Sequence, residues 1–575
     1  MTNLKYIENS NTNPALLPFD ITGYTGNRGK NFYKEDTILK RIIMNSFSNS
    51  KIDFQQAVEN HLSNYGKLIG ETIDPLVDAC HKEGKYGEII KYDNTGNRID
   101  EVRYSPEQLE VRKRIYEYGI INLDFHPNWK HPFTFLHKMS LAYLTNMCGE
   151  AGVTCPTAMT DGMIQALKSL GTEEQKKKYL PIVAGYGSNS HFMAGQYVTE
   201  RVGGSNVSAG RTIARKKENG KWALTGEKWF CSNPGDLWVT SAKIENTNTI
   251  GLFLVSRLKD NGELNNHHIL RKKDIIGSKG KITVEIVYDE VEAEELGRTS
   301  HGIANLIKFV IKVSRIHVSI ASLGFSRRGF MEAFEYTKMR EAYGKKIIQF
   351  GSVLRSLTEM KILHTILTYS VFRNYSYIEN SENIELLLTP LLKYISTTHS
   401  TWLLHEAIIL HGGNGILGDF SPLPRLLNDS IINETWEGTH HIITDHALHA
   451  FQRPKVKESF WKELNSNMSG LEKEEDLKNP LIVFNEKKLE LEEALKNSKD
   501  WIEMNRLPIC DLIYSLFSIS EIIRQVRECE NKETKEIHTY IANGYAEIIQ
   551  RGRLNQTNPN GIFSDKIKME KIVYY

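Results

Sequence analysis

KITVEIVYDEVEAEELGRTSHGIANLIKFVIKV, residues 281–313, changes its hydrophobic period part-way along. In its first part Ile282, Val284, Ile286 and Tyr288 alternate with Thr283, Glu285, Val287 and Asp289, the period of two expected of a strand. In its last part Ile303, Leu306, Ile307, Val310 and Val313 fall on one stripe, which predicts the start of a long helix. A β-domain therefore ends and a helical one begins near residue 300. Upstream, IGLFLVSRL (250–258) is rich in strand formers and carries the β-block back to about residue 191. Residues 1–190 read as a helical domain with an irregular leader, broken by KYDNTGNRID (91–100), whose Asn94, Gly96 and Asn97 mark a hairpin or loop tip. Downstream, residues 301–452 read as a helical bundle. Residues 453–575 read as a charge-dense helical extension, with LEKEEDLKNP (471–480) as a linker or exposed loop. The fold class is α+β.

The bulk properties narrow the function. A chain of 575 residues predicts several domains and ample core. Lys+Arg 72 against Asp+Glu 70 leaves it almost neutral, and no block of like charge is available to track a phosphate backbone or an anionic bilayer. The extension carries 20 Lys/Arg and 21 Asp/Glu, a net of −1, so sequence-specific DNA binding is not expected. Composition favours a small-molecule partner. The six cysteines are scattered, with neither CxxC pairs nor a disulfide framework, which suits a reducing compartment. No secretory leader is seen and no apolar run approaches about 18 residues, so a soluble, cytoplasmic protein without a membrane span is expected.

Several motifs admit two readings. GNGILG (413–418) matches the dinucleotide fingerprint GxGxxG, but that motif needs a strand leading in and a helix leading out. Here a helical HEAIILH (405–411) precedes it and a proline-bearing SPLPRL (421–426) follows, so a turn with φ > 0 positions is the better reading. His440, His441, His446 and His449 lie together, yet nothing else supplies the converging ligands of a metal centre, and no metal is expected. GQYVTERVGGSNV (195–207) and TGEKWFCSNP (225–234) read as a glycine-rich loop and a hairpin. Together they offer the hydroxyls of Thr199, Ser205 and Ser232, backbone N–H groups near Gly203 and Gly204, and the ring of Phe230, which suit a flat, polar heteroaromatic ligand. Arg340, in REAYGKK, is either a helix-terminal arginine complementing the macrodipole or a phosphate clamp.

GTEEQKKKYLP (171–181), YVTERVGGSNV (197–207), LTGEKWF (224–230), REAYG (340–344), HGGNG (411–415) and WEGT (436–439) occur in the order and spacing of the acyl-CoA dehydrogenase family, which the chain resembles over about residues 135–452. The leader, including KYDNTGNRIDEVRY (91–104), and the helical tail resemble the branch containing the AidB alkylation-response flavoprotein. The resemblance implies an N-terminal helical domain, a middle β-barrel and a helical bundle, with FAD between barrel and bundle. It implies flavin contacts from the 196–205 loop, that is Gln196, Tyr197, Val198, Thr199 and Ser205, and from Phe230, Cys231 and Ser232, with Phe230 standing where the family has a tryptophan. It implies that Arg340 reaches the diphosphate of a neighbouring subunit's FAD, that Gly412 and Gly413 flank the adenosine, and that Gly438 and Thr439 continue the flavin site. Ser205, Ser314 and Arg315 would meet the acyl-CoA. Ile409, Gly351 and His441 stand where the family usually has glutamines, so the adenine side departs from the family pattern more than the flavin-ring side.

By the same resemblance Glu437 is the catalytic base, taking the α-proton of an acyl thioester while hydride leaves the β-carbon for flavin N5. A carboxylate of ordinary pKa, about 4.3, is too weak for that acid, so desolvation against Trp436 should raise it. Ser314 stands where some relatives place the base, and cannot serve. The implied activity is that of an FAD-dependent acyl-CoA dehydrogenase, assembled as a homotetramer and passing electrons to an electron-transferring flavoprotein. The alternatives are an AidB-like stress flavoprotein that binds DNA or sequesters acyl-CoA, and an acyl-CoA oxidase.

Overall fold

The N-terminal helices are set by their caps. The computed structural model describes residues 23–82, 84–185, 193–471, 474–551 and 561–575. In it α1 (Thr37–Phe47) starts on Asp36, whose side chain accepts from Leu39 N–H, and α2 (Ile52–Leu68) runs through a π-helical turn at Ile69–Ile73 into α3 (Asp74–Cys80). A hairpin of β1 (Glu88–Tyr92) and β2 (Arg98–Arg103) follows, its tip drawn together by the Asp93 carboxylate, which accepts from Thr95 and Asn97. The expected hairpin at 91–100 is thus present. Ser105 and Gln108 close a capping box at the start of α4 (Pro106–Glu117), and α5 (Phe135–Asn146) and α6 (Thr154–Leu170) follow. In the GTEEQ motif Thr172 and Gln175 form a second capping box and start α7 (Glu173–Val183), whose Gln175 then reaches the carbonyl of Glu295 in the next domain at 3.0 Å.

The middle domain is a barrel. β3 (Gly195–Tyr197), β4 (Ile213–Lys216), β5 (Trp222–Ser232), β6 (Leu237–Ile244), β7 (Ile250–Ser256), β8 (His267–Lys272) and β9 (Thr283–Glu295) form one sheet. Within it β6, β4, β5, β9 and β7 pair in a closed circuit back to β6, with β3 added to β6 and β8 to β9. Ile282, Val284, Ile286 and Tyr288 point into a core shared with Trp222, Trp238 and Phe253, as the period of two predicts. The other face of β9 is also covered at first, because Glu285 is held by Lys273 and Arg271. TGEKWFCSNP is not a hairpin: residues 225–232 continue β5, paired with β9 and bent by irregular register at Gly226, whose φ of +152° no side chain would favour.

The long helix after residue 300 is broken in an instructive way. α8 (Gly302–Leu306) passes through a π-helical turn, Ile307–Ile311, into α9 (Lys312–Met339). The extra residue of that turn rotates the stripe, so Leu306, Val310 and Val313 are buried while Ile303 and Ile307 are 36% and 53% exposed. α9 is buried on nearly every face and runs through the middle of the bundle formed with α10 (Gly351–Glu379), α11 (Glu385–His411), α12 (Leu423–Thr435) and α13 (His440–Phe451). Between α9 and α10 lies a small hairpin of β10 (Glu341–Ala342) and β11 (Lys345–Lys346). Arg328 of α9 is fully buried and clamps Asp74 of α3 through two bonds of 2.9 Å and Glu332 through one of 2.6 Å, tying the first domain to the bundle.

The extension is part of the main core. Of α14 (Pro454–Met468), α15 (Lys478–Ala494), α16 (Lys499–Met504), α17 (Arg506–Arg527), α18 (Lys532–Arg551) and α19 (Lys566–Tyr574), α17 packs onto α10, α11 and α13, α18 and α19 onto α10, and α14 onto α13, while α15 packs on α17 and α18 and α16 on α17. Tyr369 and His538 meet at 2.7 Å, Arg373 pairs with Glu463 at 2.8 Å, and Thr37 donates to the carbonyl of Tyr575 at 2.8 Å. Where a linker or exposed loop is expected at 471–480, the connection is pinned by the buried side chains of Leu471 and Leu477, and Lys478 already begins α15. No described helix is long and apolar enough to cross a membrane. All six cysteines are free thiols.

Candidate active site

A cavity of about 630 Å³ opens where the barrel, α6, the π-helical turn and the 432–446 segment meet. Gly152 and Gly280 set the approach of α6 to the barrel: a Cβ on Gly152 would come to 2.0 Å from the Gly280 carbonyl oxygen, and φ at Gly152 is +76°. The barrel wall presents Gln196, Val198, Thr199, Ser205, Phe230 and Ser232, and the facing wall Ser314, Arg315, Trp436, Glu437, Gly438 and Thr439. Strand alternation separates the neighbours. Tyr197 and Cys231 lie in the barrel core, Tyr197 donating to the Asn233 carbonyl at 3.2 Å, so only their backbone can meet a ligand in the cavity.

Glu437 stands between two helices. α12 ends at Thr435, Trp436 caps it with its N–H on the Ile432 carbonyl at 3.1 Å, and Thr439 precedes α13. The two residues between take left-handed backbone, φ +57° at Glu437 and +104° at Gly438. Glycine tolerates this, but for glutamate it is a strain of about 1–3 kcal/mol that the surroundings must hold. They do so from several sides. Arg315 of α9 donates from Nε to the Glu437 carbonyl at 3.2 Å and from Nη2 to Nδ1 of His446 at 2.9 Å. Lys393 of α11 donates to the Gly438 carbonyl at 2.8 Å and the Glu434 carbonyl at 3.3 Å. Trp436 bonds Asn433, which bonds Ser322 of α9.

The carboxylate itself has no hydrogen-bond partner among the described residues, nor has the Glu437 backbone N–H. Burial raises its pKa from 4.5 to about 7, against the opposing pull of the Arg315 and Lys393 charges. That is the range of a general base at neutral pH. Burial also lowers the pKa of Arg315, whereas Cys155 across the cavity has its thiol pushed up to about 12 and is no nucleophile.

Arg340, Gly412 and Gly413 do not line this cavity. Arg340 caps α9, its N–H on the Tyr336 carbonyl at 2.8 Å, and leads into the β10–β11 hairpin. The expected φ > 0 positions are not found within GNGILG: none of residues 413–418 has one, and the left-handed residue is Gly412 just before it, at +58°, because the segment from Gly412 to Ile416 winds into a 3₁₀ turn. A helix, α11, leads in, so GNGILG is no strand–turn–helix dinucleotide motif. Ile409 and His441 are exposed, and Gly351 begins α10. Lys281, Lys393 and His317 are site residues that the sequence reading missed. Lys281 lies 4.8 Å over the Trp436 ring, and His317 contacts Asp161 at 2.9 Å, which also holds Lys138. The one available signal was Lys393 itself, a lone charge in the apolar run LLLTPLLKYIS (386–396).

Three family models cover the chain in succession: the adaptive response protein AidB N-terminal domain over residues 25–186, the acyl-CoA dehydrogenase middle domain over 195–291, and the acyl-CoA dehydrogenase C-terminal domain over 300–450. The chain is an AidB-like member of the acyl-CoA dehydrogenase family. Acyl-CoA dehydrogenase family member 11 of Caenorhabditis elegans is 28% identical over 450 residues, 74% of this chain and 72% of that protein. The putative acyl-CoA dehydrogenase AidB of Escherichia coli K12 is 25% identical over 370 residues, 62% and 67% of the two chains. The crystal structure of C. elegans ACDH-11 in complex with C11-CoA shares the fold, with a TM-score of 0.82 at 24% identity, over 90% of this chain and 92% of that one. The family's cofactor is FAD, and the residues present suit its ring. Phe230 keeps 49% of its surface exposed at the cavity wall, beside the Thr199 and Ser232 hydroxyls. A Cβ on Gly204 would come to 2.8 Å from Thr199 Oγ1, so a side chain there would press on the Thr199 hydroxyl.

Proposed function

We propose that the protein is an FAD-dependent acyl-CoA dehydrogenase in which Glu437 removes the α-proton of an acyl thioester, giving a 2-enoyl-CoA. The observation that carries this reading is a half-buried carboxylate, without a hydrogen-bond partner among the described residues, on a left-handed turn across a 630 Å³ cavity from a wall of hydroxyls and one exposed ring, with desolvation pushing its pKa up to about 7. FAD, when bound along the Thr199–Phe230–Ser232 wall, supplies the acceptor for the β-hydride. Glu437 starts ionised, takes the proton and becomes neutral, a change that burial favours. Its unpartnered N–H offers a donor to the thioester oxygen as charge develops there. Arg315 and Lys393 keep the turn from relaxing, and Met159, Val310 and Ile311 supply apolar lining for the acyl chain. The C11-CoA held by the C. elegans neighbour supports acyl-CoA as the substrate class.

A homotetramer is part of the proposal on the family resemblance of the REAYG motif, with Arg340 completing a neighbour's FAD site. An electron-transferring flavoprotein is the proposed acceptor. The test is a series of acyl-CoA lengths added anaerobically to the flavin-loaded protein. Bleaching of the flavin by a preferred length supports dehydrogenation, and bleaching that reverses with oxygen uptake supports an oxidase. A protein that binds acyl-CoA and never bleaches would leave the AidB-like sequestration reading in its place.

A further inference from the structure

Lys393 is fully buried and makes no ion pair among the described residues, since its ammonium spends its hydrogen bonds on the Glu434 and Gly438 carbonyls. A buried charge paired only with carbonyls is an expensive arrangement, and a fold that needed only packing would place an apolar side chain there. Its two acceptors explain its place. Glu434 lies in the last turn of α12, where carbonyls lack helical partners and the helix dipole is negative. Gly438 lies on the far side of Glu437. One ammonium therefore bridges the end of α12 to the residue after the base, spanning the strained turn.

The geometry points to Lys393 as a positioning residue for the Glu437 base, locking its left-handed turn through the two carbonyls and placing a positive charge beside the carboxylate. This rests on the reading of Glu437 as the base. The charged and titratable groups that face the pair are Arg315 from α9, Glu434 from α12 and His440 from α13, with Cys155 of α6 across the cavity. Burial pulls the Lys393 pKa down to about 7, with Glu437 opposing, so base and lysine titrate in the same range. Arg315 holds the Glu437 carbonyl from the opposite helix and leaves the Gly438 side to Lys393 alone among the described side chains.

Two substitutions separate the roles. Lys393→Met keeps length and removes donor and charge; Lys393→Gln keeps a donor and removes the charge. In flavin-loaded enzyme both should retain flavin and a KM for acyl-CoA close to wild type. The kcat of Lys393→Met should fall about 10²-fold, the scale of an ångström of misplacement, and Lys393→Gln should recover part of it. In both, the acid limb of kcat against pH should move to higher pH, because a cation beside the base has gone. The Glu437 carboxyl band in infrared spectra, identified by its absence from Glu437→Gln, should titrate at correspondingly higher pH without any turnover. An acid limb and a carboxyl band that stay at their wild-type pH, with kcat falling only as stability falls, would overturn the proposal and leave Lys393 a structural residue. If Lys393→Met does not fold, Lys393→Gln decides by the same two readouts. A Glu437→Gln variant with wild-type turnover would sink the base reading itself, whereas an inactive one beside an unshifted Lys393→Gln sinks only the role of Lys393.

Discussion

Replacing Glu437 by glutamine should make the protein more stable at alkaline pH. The carboxyl titrates near 7 in the folded chain against 4.5 as its ordinary value. Each pKa unit is worth about 1.4 kcal/mol, so the difference amounts to a ceiling of about 3 kcal/mol, and solvent entering through the cavity mouth trims it to about 2. The sign follows from the direction of the shift. A raised folded-state pKa means that the group's contribution to stability is fully present below 4.5 and is lost as pH rises through about 7. Glutamine has the same shape and never ionises. Wild type and variant should therefore unfold alike near pH 4.5, diverge as pH rises from there to about 7, and keep the full difference above it, the variant being the more stable. Relief of ground-state repulsion is not involved, since the cause is desolvation. The assay is thermal unfolding of the flavin-loaded, acyl-CoA-free proteins across that range, where about 2 kcal/mol is a shift of several degrees for a cooperative unit of 150–250 residues. Parallel pH dependence of the two proteins, or a variant less stable at pH 8, would refute the reasoning.

Two further outcomes are expected. Arg328→Met should lower stability by about 3–5 kcal/mol in denaturant titrations, because it strands the Asp74 and Glu332 carboxylates in the core; a loss below about 1 kcal/mol would show that the clamp is not what joins the first domain to the bundle. Arg340→Ala should release flavin and loosen assembly together in size-exclusion chromatography, and a fully flavinated wild-type monomer would refute the shared site.

Much of this architecture is legible because local pattern and fold agree. The alternation from Ile282 to Tyr288 survives in β9 because the barrel interior selects one face, and the capping box at Thr172 is readable from four residues. The stripe from Ile303 to Val313 misleads because a π-helical turn adds a residue that periodicity cannot register. The tail's neutral, charge-dense composition hides that α17 buries an apolar face against α10 and α11, that α18 packs on α10, and that α15 covers α17 and α18 in turn. In the site, the cavity gathers residues that local motifs carry, such as Thr199, Ser205, Phe230 and Glu437. Lys393 and Lys281 lie outside any motif, since what matters in them is the carbonyl or ring that the fold brings near. Tyr197 and Cys231 sit inside their motifs yet face the core, because a strand shows a ligand only every second side chain.

The most direct test of Glu437 as the base is anaerobic stopped-flow mixing of flavin-loaded Glu437→Gln with the acyl-CoA that bleaches wild type fastest. The variant should stay yellow and bind the acyl-CoA, since Thr199, Phe230 and Ser232 are untouched. Its flavin should bleach slower than wild type by about 10² to 10⁴ or more. Bleaching at the wild-type rate would contradict the assignment.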